Sequence, residues 1–202
     1  PNGVDPAPFQ RALAAAAARG PRPAASPRLG YSGHISNRLD LALLSAIAQA
    51  RPDWQLLFAG SEWDAGCAGL LQALKALPNV HFLGLLPVEQ TPDFIVSCDV
   101  CLIPYRLTDE TRAISSLKLY EYLAAGKPVV SARVPAAEEQ AALVRMADAT
   151  VESWVQQIEG ALSEGDDRDL VAARQAVAQE NRWGERVARI EALLAELQRA
   201  KG

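Results

Sequence analysis

The chain lacks the features that mark several protein classes. It has no basic excess, because 20 Lys and Arg stand against 24 Asp and Glu, a net charge of −4. Nucleic-acid binders usually carry a basic face, so no nucleic-acid partner is expected. No apolar run approaches the roughly 18 residues of a membrane span. The chain opens on Pro-Asn-Gly-Val-Asp and not on a basic and then apolar leader, so no signal peptide is expected.

Cysteine is scarce, with only Cys67, Cys98 and Cys101. An odd number of cysteines without the spacing of a disulfide framework argues against a secreted fold held together by disulfides. It predicts a reducing, cytoplasmic location. Cys98 and Cys101 have C-x-x-C spacing, but Cys101 lies in an apolar run typical of a buried strand. No second such pair and no nearby histidine completes a zinc set, so a packing role is favoured.

Short apolar runs alternate with helical stretches from Arg28 onward. This alternation predicts βαβ units in an α/β, Rossmann-like doubly wound parallel sheet over 28–150, followed by extra C-terminal helices. The strands read as continuous apolar runs, as a sheet covered on both faces requires. The predicted strands span 29–32, 54–59, 80–83, 99–103 and 128–131, the stretch 143–147 is ambiguous, and the predicted helices span 39–50, 65–77, 87–97, 116–125, 151–163, 167–181 and 184–199.

Three further expectations concern the core and the domain limits. Residues 1–27, with an alanine-rich helix and a proline-rich stretch, are predicted to be an interdomain segment and linker outside the core. Residues 28–202 are predicted to form one binding domain. Trp54, Trp154 and Trp183 lie on apolar faces of predicted elements and are expected in its core.

Ligands of open parallel sheets bind at the carboxyl ends of the strands, so the loops there are the candidate site. The longest, 104–115, leads into Ser-Ser-Leu-Lys-Leu-Tyr-Glu at 115–121. Ser115 and Ser116 are placed to cap a helix whose first amides are unpaired. The helix dipole and Lys118 add positive charge there. This combination predicts a diphosphate site, while the absence of G-x-G-x-x-G argues against dinucleotide binding by the usual route.

Glu121 lies three residues after Lys118. A carboxylate beside a phosphate site is favourable where it accepts hydroxyl donors, and a ribose diol supplies them. The alternative is a surface ion pair with Lys118, but Lys before Glu is the weaker orientation for helix stability. The pair also lies in an apolar run, where an unpartnered charge is costly.

The stretch Ser-Ser-Leu-Lys-Leu-Tyr-Glu-Tyr-Leu-Ala-Ala-Gly-Lys-Pro-Val-Val at 115–130 resembles the donor-nucleotide motif of GT-B glycosyltransferases of the family 4-like group. The segments 79–84 and 95–104 look like the preceding strands of that family. The opening 1–5 is similar to the segment that leads into the family's C-terminal domain. The resemblance implies a C-terminal, nucleotide-sugar-binding half, with an acceptor-binding N-terminal domain of the same enzyme as its partner.

By the resemblance, Glu121 would hold the ribose hydroxyls, and Ser115, Ser116 and Lys118 the diphosphate, with Lys118 also stabilising the leaving group. The loop around Leu85 would meet the base. Further donor contacts are expected from the remaining strand-end residues, namely Gly33, His34, Arg38, Ser61, Tyr105 and Leu117.

The sequence departs from the family pattern in two places. Ala113 stands eight residues before Glu121, where the typical signature has a second glutamate, and Asp109 or Glu110 is the candidate substitute. The first loop has His34 and Arg38 where the family carries an Arg and a Lys. The chain resembles most a subgroup of bacterial surface-polysaccharide transferases with a similar Ser-x-Leu-Lys variant.

The resulting hypothesis is a hexosyltransferase-like donor domain that binds a UDP-sugar, needs no metal or other cofactor, and is inactive as an isolated fragment. Peripheral membrane association of the full enzyme is left open. One alternative is a non-catalytic nucleotide-binding regulatory or scaffolding module, which Ala113 favours. A sugar-nucleotide epimerase would need further catalytic acids and a histidine that the sequence does not place.

Overall fold

The computed structural model of the chain describes residues 2–20, 26–63, 65–114, 117–165 and 167–199. Its strands are β1 (Arg28–Ser32), β2 (Gln55–Ala59), β3 (Val80–Phe82), β4 (Val100–Ile103), β5 (Val129–Ala132) and β6 (Val144–Ala147). They form one parallel sheet in the order β3-β2-β1-β4-β5-β6. Strand order reverses between β1 and β4, which is where doubly wound sheets bind ligands. The predicted fold class is confirmed.

Helices cover both faces of the sheet. They are α1 (Ala7–Arg19), α2 (Leu41–Ala50), α3 (Ala68–Lys75), α4 (Thr91–Ser97), α5 (Asp109–Arg112), α6 (Leu117–Ala124), α7 (Pro135–Glu138), α8 (Val151–Glu164), α9 (Arg168–Glu180) and α10 (Trp183–Arg199). On one side of the sheet α2 packs against α3 and α8, and on the other α1 packs against α4 and α6 packs against α9. Because helices cover both faces, the strands are buried and apolar.

Two short helices, α5 and α7, were not expected from the sequence. The side chain of Thr108 caps α5 by accepting a hydrogen bond from the amide of Thr111, and Pro135 opens α7. Elements of four residues are too short to show a helical hydrophobic period. The ambiguous stretch 143–147 contains β6.

The expectation that residues 1–27 lie outside the core is wrong for their described part. Val4, Phe9 and Ala12 are buried within the core cluster, and α1 packs against α4. Phe9 and Ala12 are three residues apart and therefore lie on one helix face, which is enough to dock an otherwise alanine-rich helix. The proline-rich stretch at 21–25 lies outside the described residues, and the boundary at residue 28 stays a prediction.

Two of the three tryptophans expected in the core are buried. Trp54 and Trp154 are fully enclosed, whereas Trp183 is 51 % exposed, so the expectation for Trp183 is wrong. Trp183 begins α10, whose large apolar side chains all face solvent. A hydrophobic periodicity typical of a helix with one buried face does not by itself show that the helix packs against the sheet. Among the described helices, none is long and apolar enough to cross a bilayer.

Candidate functional site

Glycines link the ends of the first three strands at the carboxyl edge of the sheet. The amide of Gly33 donates to the carbonyl of Ala59 at 2.8 Å, and the amide of Gly60 donates to that of Gly84 at 2.8 Å. Gly33, Gly60 and Gly84 all have positive φ, which glycine adopts without strain. A Cβ on Gly60 would overlap the carbonyl of Gly33. At this edge the backbone of the three glycines carries no side chains, and hydrogen bonds join the strand ends closely.

Replacing Gly60 with alanine is expected to destabilise the protein by roughly 1–3 kcal/mol. The new Cβ meets the Gly33 carbonyl, and the φ of +152° disfavours any side chain. Gly69→Ala is the matched control, because Gly69 lies inside α3 with open space around its Cα and alanine is the better helix former. Urea unfolding measures both variants. Equal stability of the two would contradict the close approach of the loops.

Lys118 lies in the first turn of α6, next to the loop that follows β1. Its Nζ donates to the phenol oxygen of Tyr105 at 2.6 Å. A Cβ placed on Gly33 would lie 3.1 Å from Cε of Lys118, so the two residues are in close proximity. Buried Leu119, Tyr122 and Leu123 anchor the opposite side of α6 to the core. The ammonium is thereby held where strand order reverses.

Glu121 lies one turn after Leu117, and both border a cavity of about 750 Å³ between α1, α4 and the start of α10. Burial raises the pKa of the Glu121 carboxyl above its usual value, and the nearby Lys118 ammonium opposes this rise without cancelling it. A half-buried carboxylate at the rim of a cavity can accept hydroxyl donors. The apolar side chains at the cavity are Val4, Pro8, Phe9, Ala12, Ala15, Val88, Pro92, Leu117 and Trp183.

Other residues singled out from the sequence also lie at this edge. Nδ1 of His34 is 2.9 Å from Oγ of Ser61, which joins the loops after β1 and β2. Leu85, in the loop after β3, is 78 % exposed. The structure thus brings together Gly33, Tyr105 and Lys118 in one group and Leu117 with Glu121 in another. Ser115 and Ser116 lie outside the described residues.

Arg38 does not stand free at the site. Its guanidinium forms an ion pair with Glu110, with Nη2 2.6 Å from Oε1, and both side chains are exposed. Glu110 is one of the two carboxylates considered as substitutes for the glutamate that Ala113 replaces. Ala113 itself follows α5 and is exposed. The ion pair gives Glu110 a partner within the protein and joins the loops after β1 and β4.

Sequence reasoning missed Tyr31. Its ring centroid lies 5.3 Å from Nζ of Lys118, and its hydroxyl donates to the carbonyl of His34 at 2.8 Å. Tyr31 lies within β1 and is almost completely buried, so an apolar strand pattern presents it as a core residue. No signal in the sequence distinguishes it from the other aromatic residues of the core.

In the part of the chain that the structure describes, no three His, Cys, Asp or Glu side chains are grouped as a metal site. The expectation that no metal takes part stays a prediction. Cys98 and Cys101 are buried free thiols.

Comparison with known proteins identifies relatives of this fold and sequence. A family model described as glycosyl transferases group 1 matches residues 26–164. A putative teichuronic acid biosynthesis glycosyltransferase, TuaH, from Bacillus subtilis (strain 168) is 35% identical over 107 residues, which are 53% of this chain and 27% of that protein.

Solved structures match almost the whole chain. Sucrose-phosphate synthase from Thermosynechococcus elongatus superposes with a TM-score of 0.77 and 21% identity, over 99% of this chain and 52% of that one. Anabaena Alr3699/HepE, in complex with UDP and glucose, superposes with a TM-score of 0.65 and 19% identity, over 98% of this chain and 55% of that one. The chain therefore spans about half the length of these structures, and at this identity the likeness concerns the fold.

The match of the family model to more than half of the chain agrees with the motif resemblance around Lys118 and Glu121. The GT-B resemblance is confirmed, and the chain belongs to the group 1 family of glycosyl transferases.

Proposed function

We propose that this chain is the donor-binding domain of a hexosyltransferase that uses a UDP-sugar. The nucleoside diphosphate would lie across the start of α6, with its phosphates at Lys118 and its ribose at Glu121. The observation that carries this proposal is the placement of a cation and a carboxylate, one turn apart, at the strand-order reversal and beside an open cavity. Family membership supports transferase chemistry.

The diphosphate would be bound by charge and by backbone dipoles. Lys118 supplies a full positive charge, and the first amides of α6 supply the partial charge of a helix N-terminus. Ser115 and Ser116 are proposed to add hydroxyl donors. The bare glycine edge at Gly33 allows phosphate oxygens to approach the backbone closely.

The ribose would be bound by Glu121. A carboxylate accepts both hydroxyls of a 2′,3′-diol, and such charge-assisted hydrogen bonds are stronger than neutral ones. Burial of this carboxylate is unfavourable, and this raises its pKa in spite of the nearby Lys118 ammonium. A diol arriving at the cavity rim would offset that cost, which makes the carboxylate a binding group rather than a packing element.

The base would enter the cavity beside Glu121. The cavity is large enough for a nucleoside and is mostly apolar, as ligand pockets usually are. Leu85 and its neighbours are proposed to meet the base from the loop after β3. The complex of the similar Alr3699/HepE with UDP supports uridine as the nucleoside.

Catalysis would depend on stabilising the leaving UDP. Charge builds on the diphosphate as the glycosidic bond to it breaks, and preorganised groups such as Lys118 and the amides of α6 stabilise that charge. No metal ion is proposed. An N-terminal domain of the same enzyme would hold the acceptor, a polysaccharide or lipid-linked sugar, and supply any general base. The 202-residue chain alone is therefore expected to bind the donor without turning it over.

Calorimetric titration of the chain with UDP, GDP and uridine tests the proposal. UDP is expected to bind, with GDP weaker because its purine is larger, and uridine weaker because it lacks the diphosphate. Absence of UDP binding would refute the proposed function.

A non-catalytic nucleotide-binding module remains the alternative, and the alanine at 113 favours it. The transferase and the non-catalytic module predict different behaviour of the full-length protein. A transferase hydrolyses or transfers the sugar of its donor in the presence of acceptor, whereas a module only binds it. Detection of UDP release from UDP-sugar by the full-length protein would exclude the alternative.

A further inference from the structure

Two cations described at this edge of the sheet are paired with carboxylates, whereas Lys118 is not. Arg38 pairs with Glu110, and Lys75 pairs with Glu62. Among the described residues, no carboxylate forms an ion pair with Lys118. Its Nζ instead donates to a neutral phenol oxygen, that of Tyr105. A neutral acceptor fixes the position of an ammonium while leaving its charge available to a ligand.

Two aromatic rings flank the same ammonium. Nζ lies 5.1 Å from the ring centroid of Tyr105 and 5.3 Å from that of Tyr31. Cations within about 6 Å of a ring centroid are attracted to it, and the attraction grows with desolvation. Both rings are at least 90 % buried, so their positions are fixed by packing. Burial also raises the pKa of the Tyr31 phenol, which keeps it neutral.

The two tyrosines also connect the ammonium to the neighbouring loops. The hydroxyl of Tyr31 donates to the carbonyl of His34, and the backbone of Tyr105 forms an isolated β-bridge with Leu39. Both contacts hold the loop after β1, which begins at Gly33. The same two residues therefore contact both the Lys118 ammonium and that loop.

From this geometry we infer that Tyr105 and Tyr31 are positioning residues that hold the Lys118 ammonium ready for the diphosphate, and that Tyr105 acts through Lys118 and not by contact with the donor. The inference rests on the proposed function. Fixing the ammonium before binding lowers the entropy lost on binding, which is the general advantage of preorganisation.

The decisive variant is Tyr105→Phe, which keeps the ring and removes the hydroxyl acceptor. Affinity for UDP is expected to fall about three- to tenfold, while affinity for uridine is unchanged because uridine has no diphosphate for Lys118 to bind. In a Lys118→Ala background the same change is expected to have no effect on UDP, as a double-mutant cycle requires of coupled residues. Tyr120→Phe is the control, since Tyr120 lies on the same helix and its hydroxyl contacts Arg186.

A ligand-free measurement reports on the ammonium itself. The chain has only four lysines, so ¹⁵N-lysine labelling gives a simple spectrum that Lys118→Ala assigns. Slow proton exchange is expected for the Lys118 ammonium in the wild type and faster exchange in Tyr105→Phe, with no change in Tyr120→Phe. Fast exchange in the wild type would overturn the inference.

The outcomes separate the inference from the proposed function. Equal losses for UDP and uridine in Tyr105→Phe, or a loss that persists without Lys118, would overturn the positioning role. If UDP binds the wild type and Lys118→Ala weakens it while Tyr105→Phe does not, only the inference fails. If UDP does not bind the wild type, the proposed function fails and the inference fails with it.

Discussion

Replacing Lys118 with alanine is expected to lower the affinity of the chain for UDP at least tenfold, or by about 1.4 kcal/mol. The variant removes the one full positive charge in the first turn of α6, at the point where the diphosphate is proposed to lie. The helix amides remain, so residual binding is expected. Because the lost interaction is between charges, the wild-type affinity should fall with added salt more steeply than that of the variant. Calorimetry at two ionic strengths measures both effects.

Lys127→Ala is the matched control for this variant. Lys127 follows the other end of α6, and its amide donates to the carbonyl of Tyr122. Its ammonium is therefore separated from the proposed phosphate position by the length of the helix. UDP affinity should be unchanged in Lys127→Ala. Similar losses in the two variants, or a loss of less than tenfold in Lys118→Ala, would contradict the assigned site.

Replacing Glu121 with glutamine is expected to weaken nucleoside binding and to stabilise the free protein. The amide keeps the shape of the side chain but accepts hydroxyls without charge, and hydrogen bonds to charged groups contribute roughly 1.5–3 kcal/mol. We expect the affinity for uridine and for UDP to fall about tenfold. The same substitution removes a carboxylate whose burial is unfavourable when no ligand is present.

The sign of the stability effect follows from the pKa. The pKa of Glu121 in the folded protein is raised above its ordinary value of 4.5, so the folded state binds more protons than the unfolded state between these two values. The free energy of unfolding therefore falls as pH rises through that window and stays lower above it. In the glutamine variant, position 121 does not titrate, so the free energy of unfolding does not show this decrease with pH. It should be more stable than the wild type at neutral pH and equal to it once the pH lies below both values.

Thermal unfolding at several pH values, with and without uridine, measures both effects. Glu139→Gln is the control, because Glu139 is exposed and is not among the residues that line this cavity. It should leave the stability and the uridine affinity near those of the wild type. A glutamine variant of Glu121 that binds uridine as well as the wild type does would show that the ribose lies elsewhere. One that is less stable at neutral pH would show that the carboxylate is a structural group.

The strands of the sheet and most of its helices can be predicted from the sequence, because each of them is marked by a local pattern of apolar residues. Continuous apolar runs such as 100–103 mark strands buried on both faces, and the glycine or proline that follows the first four strands marks their ends. The motif around Lys118 and Glu121 is equally local, since both residues lie on one short helix. A local motif could therefore be found without knowledge of what it faces.

What the sequence by itself determined was the fold class and the position of the two charged residues of α6, Lys118 and Glu121. The tertiary structure decided the neighbours of those residues: Tyr31 and Tyr105 around the ammonium, α1 and Trp183 around the cavity, and Glu110 as the partner of Arg38. It also decided that Phe9 is core and that Trp183 is exposed. These relations join residues far apart in the chain. A hydrophobic period gives the direction in which a side chain points along its own element, whereas the group it meets is set by how the elements pack.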